Sequence, residues 1–278
     1  MPILGSKLKT SKVDGDVLDY KNRIIAASGS ISANSLQAIS NFVKTLKGNG
    51  LWNKCLEIAP YAGNNFADAL IKLKYPSGIQ STLTNVGFTS ADYSENTGLS
   101  ADTSDTKNLR TGFAPSVHLS TSLDTHLSIY ARNQAALTSN GNSPYAYLGS
   151  SGTSNGSNFL IQRSPTNVRS LIGSGTEMLV STTTLNLPGL LIASTIGANL
   201  GYLFYNGTAI STDTAFTTNL LSDSDVGIFC TLQGTSTASR RSNLICGFHS
   251  IGYGLSPTDA SIFYNAVQTL QTSLGRQV

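Results

Sequence analysis

Residues 189–212, GLLIASTIGANLGYLFYNGTAIST, hold two runs of strand-forming residues joined by Asn206-Gly207. A type I′ turn needs positive φ at both central positions, so an Asn-Gly pair between such runs specifies a two-residue hairpin. A chain carrying it must build antiparallel sheet, and the neighbouring pattern agrees. THLSIYAR (125–132) alternates, with His126, Ser128 and Tyr130 on one face and Leu127 and Ile129 on the other. VGIFCTL (226–232) and RSNLICGFHSIGYG (241–254) read as further strands. Strands at this spacing, separated by Gly-, Ser- and Asn-rich turns, predict a sandwich and not a parallel α/β sheet. The polar stretch 137–158 reads as a loop or irregular hairpin.

Two regions depart from the strand pattern. From residue 14 to about 77 the period is helical: Val17, Tyr20, Ile24 and Ala27 share one face, as do Leu36, Ile39, Val43 and Leu46. Ser32 is the expected N-cap of the second helix, flanked by Ile31 and Leu36 as a hydrophobic staple. LWNKCLEIA (51–59) reads as one or two more helical turns stopped by Pro60, and NNFADALIKLKYP (64–76) is ambiguous, open to a short helix running into a strand. At the other end, Ser256, Pro257 and Asp259 form a capping-box start for a helix of about 18 residues. Its apolar stripe is Phe263, Ala266, Val267, Leu270 and Leu274, and Gly275 is its terminator. The expected layout is therefore a basic arm at 1–13, a helical module at 14–77 and a β sandwich with a closing helix at 78–278.

With 40% hydrophobic residues the chain has the material for a packed core, and its 12% charged residues leave the surface to Ser, Thr, Asn and Gly. Charge is unevenly placed: residues 1–80 hold ten Lys and Arg against five Asp and Glu. Lys7, Lys9 and Lys12 could be a solvated arm or a docking arm for an acidic partner. No aromatic residue interleaves with them, so nucleic acid is not an expected partner. MPILGSKLKTSKVDGD lacks the apolar core of a signal peptide, and no run of about 18 apolar residues predicts a membrane span. Synthesis in a reducing cytoplasm is expected, with Cys55, Cys230 and Cys246 as buried free thiols lacking metal-ligand spacing.

Catalytic patterns do not assemble. Glycoside hydrolysis needs two carboxylates facing each other across the scissile bond. The β-rich part has only Glu95 and Glu177 as glutamates, and Asp223 and Asp225 sit in a turn-like LLSDSDVG where Asx-turns are the ordinary reading. GTSNG (152–156) fits the letters of a nucleophile elbow but lacks the strand before and the helix after it. His118, His126 and His249 lie far apart and read as satisfied strand histidines. No cofactor is expected. Calcium is the one metal with a candidate cluster, at Asp92, Glu95, Asp102 and Asp105. Tyr145, Tyr147 and Tyr205, with Tyr202, are candidate contacts for a stacked sugar, against the alternative of core packing.

FHSIGYGLS followed by PTDASIFYNAVQTLQTSLGR (248–276) resembles the last strand and helix of concanavalin A-like (laminin G-like) jelly rolls. LFYNGTAIS resembles a hairpin of the same superfamily. LQAISNFVKTLKGNGLWNKCLEIAPYAGNN (36–65) and GLSADTSDTKNLRTGFAPS (98–116) resemble segments found with such jelly rolls in structural proteins of tailed bacteriophages. The resemblance implies a non-enzymatic virion protein, located in the particle as a capsid decoration, head-fibre or tail component. It implies contacts with other virion proteins or with further copies of itself. The alternative expectation is a lectin-like module that binds a host glycan.

Overall fold

The computed structural model describes residues 12–102, 106–133, 145–153, 157–163, 167–173, 178–181 (as backbone), 188–198, 200–214, 220–234 and 237–278. Its helices are α1 (Gly15–Ala26), α2 (Ala33–Gly48), α3 (Phe66–Ala69), α4 (Pro115–His118) and α5 (Pro257–Ser273). In chain order its strands are β1 (Cys55–Ala59), β2 (Thr84–Val86), β3 (Tyr93–Ser94), β4 (Gly98–Ser100), β5 (Asn108–Arg110), β6 (Asp124–Ala131), β7 (Tyr145–Ser151), β8 (Asn158–Arg163) and β9 (Asn167–Gly173). They continue as β10 (Met178–Ser181), β11 (Gly189–Ile196), β12 (Gly201–Tyr205), β13 (Thr208–Asp213), β14 (Gly227–Ile228), β15 (Thr231–Gln233), β16 (Thr237–Ser239) and β17 (Ile245–Gly252).

Two sheets face each other. One has the order β13-β12-β11-β6-β17-β4-β3, with β1 added against β17; the other has the order β10-β9-β8-β7-β14-β5-β2, with β15 on β7 and β16 on β15. Pairing is antiparallel except between β15 and β7. This is the expected mainly β, antiparallel sandwich with few helices. Asn206 and Gly207 join β12 to β13 with φ of 48° and 77°, the positive values that the Asn-Gly signal demands.

The alternation along each strand separates two apolar layers. Leu127, Ile129, Leu191, Leu203, Phe159, Ile161 and Val168 meet between the sheets. Tyr130, Leu190, Ile192, Phe204 and Phe248 point outward from the first sheet. Helices α2 and α5 cover them: Phe42 meets Phe248 edge-on at 5.6 Å, and Phe248 and Phe263 lie 6.0 Å apart. Each such side chain contributes roughly 1.5–3 kcal/mol by leaving water. Ser32 and Ser256 cap α2 and α5 as their sequences require, the latter with the full capping box to Asp259.

The structure revises the sequence readings of 51–59 and His118 and decides those left open at 64–76 and 137–158. Residues 51–59 make a single tight turn at Trp52–Lys54 and then strand β1, which pairs with β17 from Cys55↔Gly252 to Ala59↔His249. A short apolar run has no decisive period, and sheet pairing decides it. Gly252 permits the approach, since a Cβ there would stand 2.0 Å from the Lys54 carbonyl oxygen. The boundary expected at residue 77 is thus crossed by a strand pair. His118 ends helix α4 and is no strand residue. The polar stretch 137–158, open to a loop or an irregular hairpin, carries β7, which pairs antiparallel with β8 through a register shift between Ala146 and Leu148; residues 137–144 and 154–156 lie outside the described residues. Residues 64–76 resolve into α3 followed by isolated bridges at Ile71 and Lys74.

Candidate functional site

Helix α1 buries Val17, Tyr20 and Ile24, and Asp16, Asp19 and Arg23, spaced three and four residues apart, run along one flank of that face. Arg23 is tied down there. Its Nε donates to Asp19 Oδ2 at 2.9 Å, its Nη2 to the Leu73 carbonyl at 3.1 Å, and its Nη1 to the Lys72 carbonyl. The segment 72–75 is held in turn by β1: the Ile58 N–H donates to the Lys74 carbonyl at 2.9 Å, and Leu73 N–H to Ile58 O at 2.8 Å. Trp52, in the turn just before β1, completes the enclosure.

Between these pieces lies a cleft of about 360 Å³ lined by Asp16, Asp19, Arg23, Trp52, Leu73, Lys74, Tyr75 and Ser77. Lys74 Nζ donates to the Trp52 carbonyl at 2.6 Å and stands 4.6 Å from the indole centroid; Lys47 Nζ is 5.5 Å from that centroid. The Arg23 guanidinium lies 5.1 Å from the Tyr75 ring. Two half-buried aromatic rings with carboxylates and cations around them combine apolar walls with directional hydrogen-bonding groups, the usual composition of small-molecule sites. Its volume falls at the small end of the roughly 300–1,000 Å³ range for such sites.

The residues expected to contact a ligand are elsewhere. Tyr147 is fully buried in the core between the sheets, so it is not a surface contact. Tyr205 packs against the same core and donates its hydroxyl to the Pro188 carbonyl at 3.0 Å. Tyr145 is half-buried at the start of β7, opposite Arg163 on β8. Tyr202 stacks on Phe204 of its own strand with centroids 5.3 Å apart. These tyrosines divide between the two sheets and form no common platform. Lys7 and Lys9 lie outside the described residues, and Lys12 is exposed, its carbonyl accepting from Lys44 Nζ.

Within the candidate calcium cluster, Asp92 and Asp102 both pair with Lys107, at 2.7 and 2.6 Å, and Glu95 accepts from Gly63 N–H at 3.2 Å. Asp105 lies outside the described residues. Among the described residues, no three His, Cys, Asp or Glu side chains are placed to hold a metal ion, and no helix is long and apolar enough to cross a membrane. The three cysteines are free and buried, and burial pushes each thiol up to about 12. Asp223 is a loop fastener, accepting from Thr153 N–H and Oγ1 at 2.9 Å each.

A second polar group is enclosed. Lys72 Nζ donates to Glu57 Oε2 at 3.0 Å and to the Thr111 carbonyl; His249 Nε2 donates to Glu57 Oε1 at 3.0 Å; and Tyr61 Oη is 2.8 Å from His249 Nδ1. All four side chains have zero exposure, so this chain of partners braces β1 against β17 and presents nothing to a ligand. Beside it, the buried Arg276 guanidinium donates to Gln271 Oε1 at 2.7 Å, to the carbonyls of Tyr61 at 2.9 Å and Gly247 at 2.8 Å, and to that of Pro60. Burial lowers Arg276 to about 10, well short of losing its charge near neutrality.

Sequence reasoning passed over the cleft. Its visible signals were the single tryptophan of the chain and the Asp16–Asp19–Arg23 spacing. What brings them to Lys74-Tyr75 is the Ile58–Lys74 bridge, which no local pattern announces.

No family model matches the chain, and no curated protein matches it. Solved structures match in fold. The binding domain of botulinum neurotoxin serotype D aligns with a TM-score of 0.52 at 11% identity, over 77% of this chain and 52% of that one. The binding domain of botulinum neurotoxin serotype G aligns with a TM-score of 0.50 at 12% identity, over 76% and 50%. The chain spans about half the length of these neighbours. The likeness is one of fold: the same kind of β sandwich forms part of toxin binding domains.

Proposed function

We propose that this chain is a carbohydrate-recognition module that acts by binding and not by catalysis, with the Trp52–Tyr75 cleft as its site. The observation that carries the reading is the cleft itself, where two aromatic walls stand beside carboxylate, guanidinium, ammonium and hydroxyl groups. Pyranose rings offer apolar C–H faces to the first and hydroxyls to the second. A sandwich fold shared with toxin binding domains supports a recognition role at the level of fold.

The test is a glycan array probed with the full chain and with Trp52→Ala. Binding above background that the variant loses is the expected result. A folded wild-type chain that binds no glycan overturns the reading, and chromatographic detection of shortened saccharides after incubation overturns its non-catalytic part. A place in a bacteriophage particle rests on the sequence resemblance alone and is compatible with glycan recognition. Peptides of this chain in purified particles are the result that would support it.

A further inference from the structure

The charges lining the cleft are equal in number, Asp16 and Asp19 against Arg23 and Lys74, but not all of them are paired. Asp16 pairs with Lys47 at 2.5 Å, and Asp19 with Arg23 at 2.9 Å. Lys74 has no such partner: among the described residues no carboxylate lies within 4.0 Å of its Nζ, whose neighbours are the Trp52 carbonyl and the Trp52 ring. An ammonium carries three N–H donors, and the single hydrogen bond to Trp52 O leaves two for a ligand. Arg23 likewise uses one N–H on each terminal nitrogen and keeps the other.

We infer that the cleft takes a carboxylate-bearing sugar, with Lys74 meeting the carboxylate and the Trp52 and Tyr75 rings bordering the sugar. The inference rests on the carbohydrate reading above and narrows it to acidic saccharides. A half-buried cation held only by a ring and a carbonyl is poorly compensated, and an anionic ligand supplies the missing charge. Burial lowers the Lys74 ammonium from its ordinary value, which is the direction an uncompensated site produces. A bare anion would leave the rings and the free oxygen of Asp19 unused, and a neutral sugar would leave Lys74 unanswered.

Trp52 is the single tryptophan of the chain, so intrinsic fluorescence reports on this cleft directly. The full chain is titrated with a panel of acidic sugars (glucuronic, galacturonic and N-acetylneuraminic acids, as methyl glycosides) and with the neutral methyl hexosides. Acidic sugars are expected to perturb the emission with at least about tenfold higher affinity than neutral ones, the value of roughly 1.4 kcal/mol set by one charge-assisted contact. Lys74→Met, which keeps much of the aliphatic stem over the indole, should bring the two classes level, and Lys74→Arg should restore part of the difference. Equal binding of both classes to the wild type, or a preference untouched by Lys74→Met, overturns the inference and leaves the carbohydrate reading standing. No response to any sugar of the panel overturns both.

Discussion

At the residue scale, His126 is a buried side chain whose partners also fix its protonation. His126 Nδ1 lies 2.6 Å from the Tyr253 carbonyl, which only accepts, so Nδ1 carries the proton. Nε2 then accepts from Ser250 Oγ at 3.0 Å, and Ser250 accepts from Ser128 at 2.7 Å. Burial is the main cause that lowers His126 to about 4. Unfolded, the imidazole titrates near 6.5, so between these values the unfolded chain binds the proton that the folded one refuses. The resulting stability is complete above pH 6.5 and lost as pH falls toward 4, a total of about 3 kcal/mol. Urea midpoints at pH 7, 5.5 and 4 should fall more steeply for the wild type than for His126→Gln; parallel curves would refute the assignment. The alternation of residues 125–132 made the face of His126 legible in sequence. Its partners were not, because Ser250 and Tyr253 reach it only through the pairing of β6 with β17.

At the element scale, local chemistry was readable wherever a few neighbouring residues suffice. The caps at Ser32 and Ser256 and the turn at Asn206-Gly207 form as their sequences specify. β1 was not readable, since Cys55–Ala59 is too short to show a period and becomes a strand only by meeting β17. The same holds for β7, whose Gly and Ser content looks like a loop until β8 and β14 flank it. The β12–β13 turn has a second duty. A Cβ on Gly207 would stand 3.0 Å from Tyr264 Cβ and 3.1 Å from Ser261 Cα, so the turn is seated against α5. Gly207→Ala therefore meets both an unfavourable positive φ and a packed helix. A loss of more than about 1 kcal/mol is expected in thermal or urea unfolding, and an unchanged midpoint would show that α5 yields there.

At the scale of the whole molecule, the chain is three layers deep: helices, sheet, sheet. The sandwich was legible in sequence; that a strand from the helical segment, β1, joins one of its sheets was not. The outward face of Leu190, Ile192, Phe204 and Phe248 is covered by α2 as well as α5, and β1 supplies an edge partner to β17. Removing residues 1–77 takes α2 off that face and leaves the buried His249 without its Glu57 partner. A protein limited to residues 78–278 is expected to aggregate or to lose cooperative unfolding, measured by light scattering and calorimetry. A monodisperse, cooperatively melting fragment would establish the sandwich as independent of the helices.

The position of Arg276 has a consequence for biosynthesis. Its guanidinium holds carbonyls at Pro60, Tyr61 and Gly247, joining segments up to 216 positions apart. A nascent chain that has not reached Arg276 lacks that knot, and the strand partner of β1 is itself made only at residues 245–252. The early helices and β1 therefore wait, apolar surface uncovered, while the segment from residue 60 to Arg276 is made. At about 5–20 residues per second that interval lasts on the order of ten seconds or more. Over that interval the uncovered apolar face is open to association with other chains, so aggregation during synthesis is the hazard this topology carries.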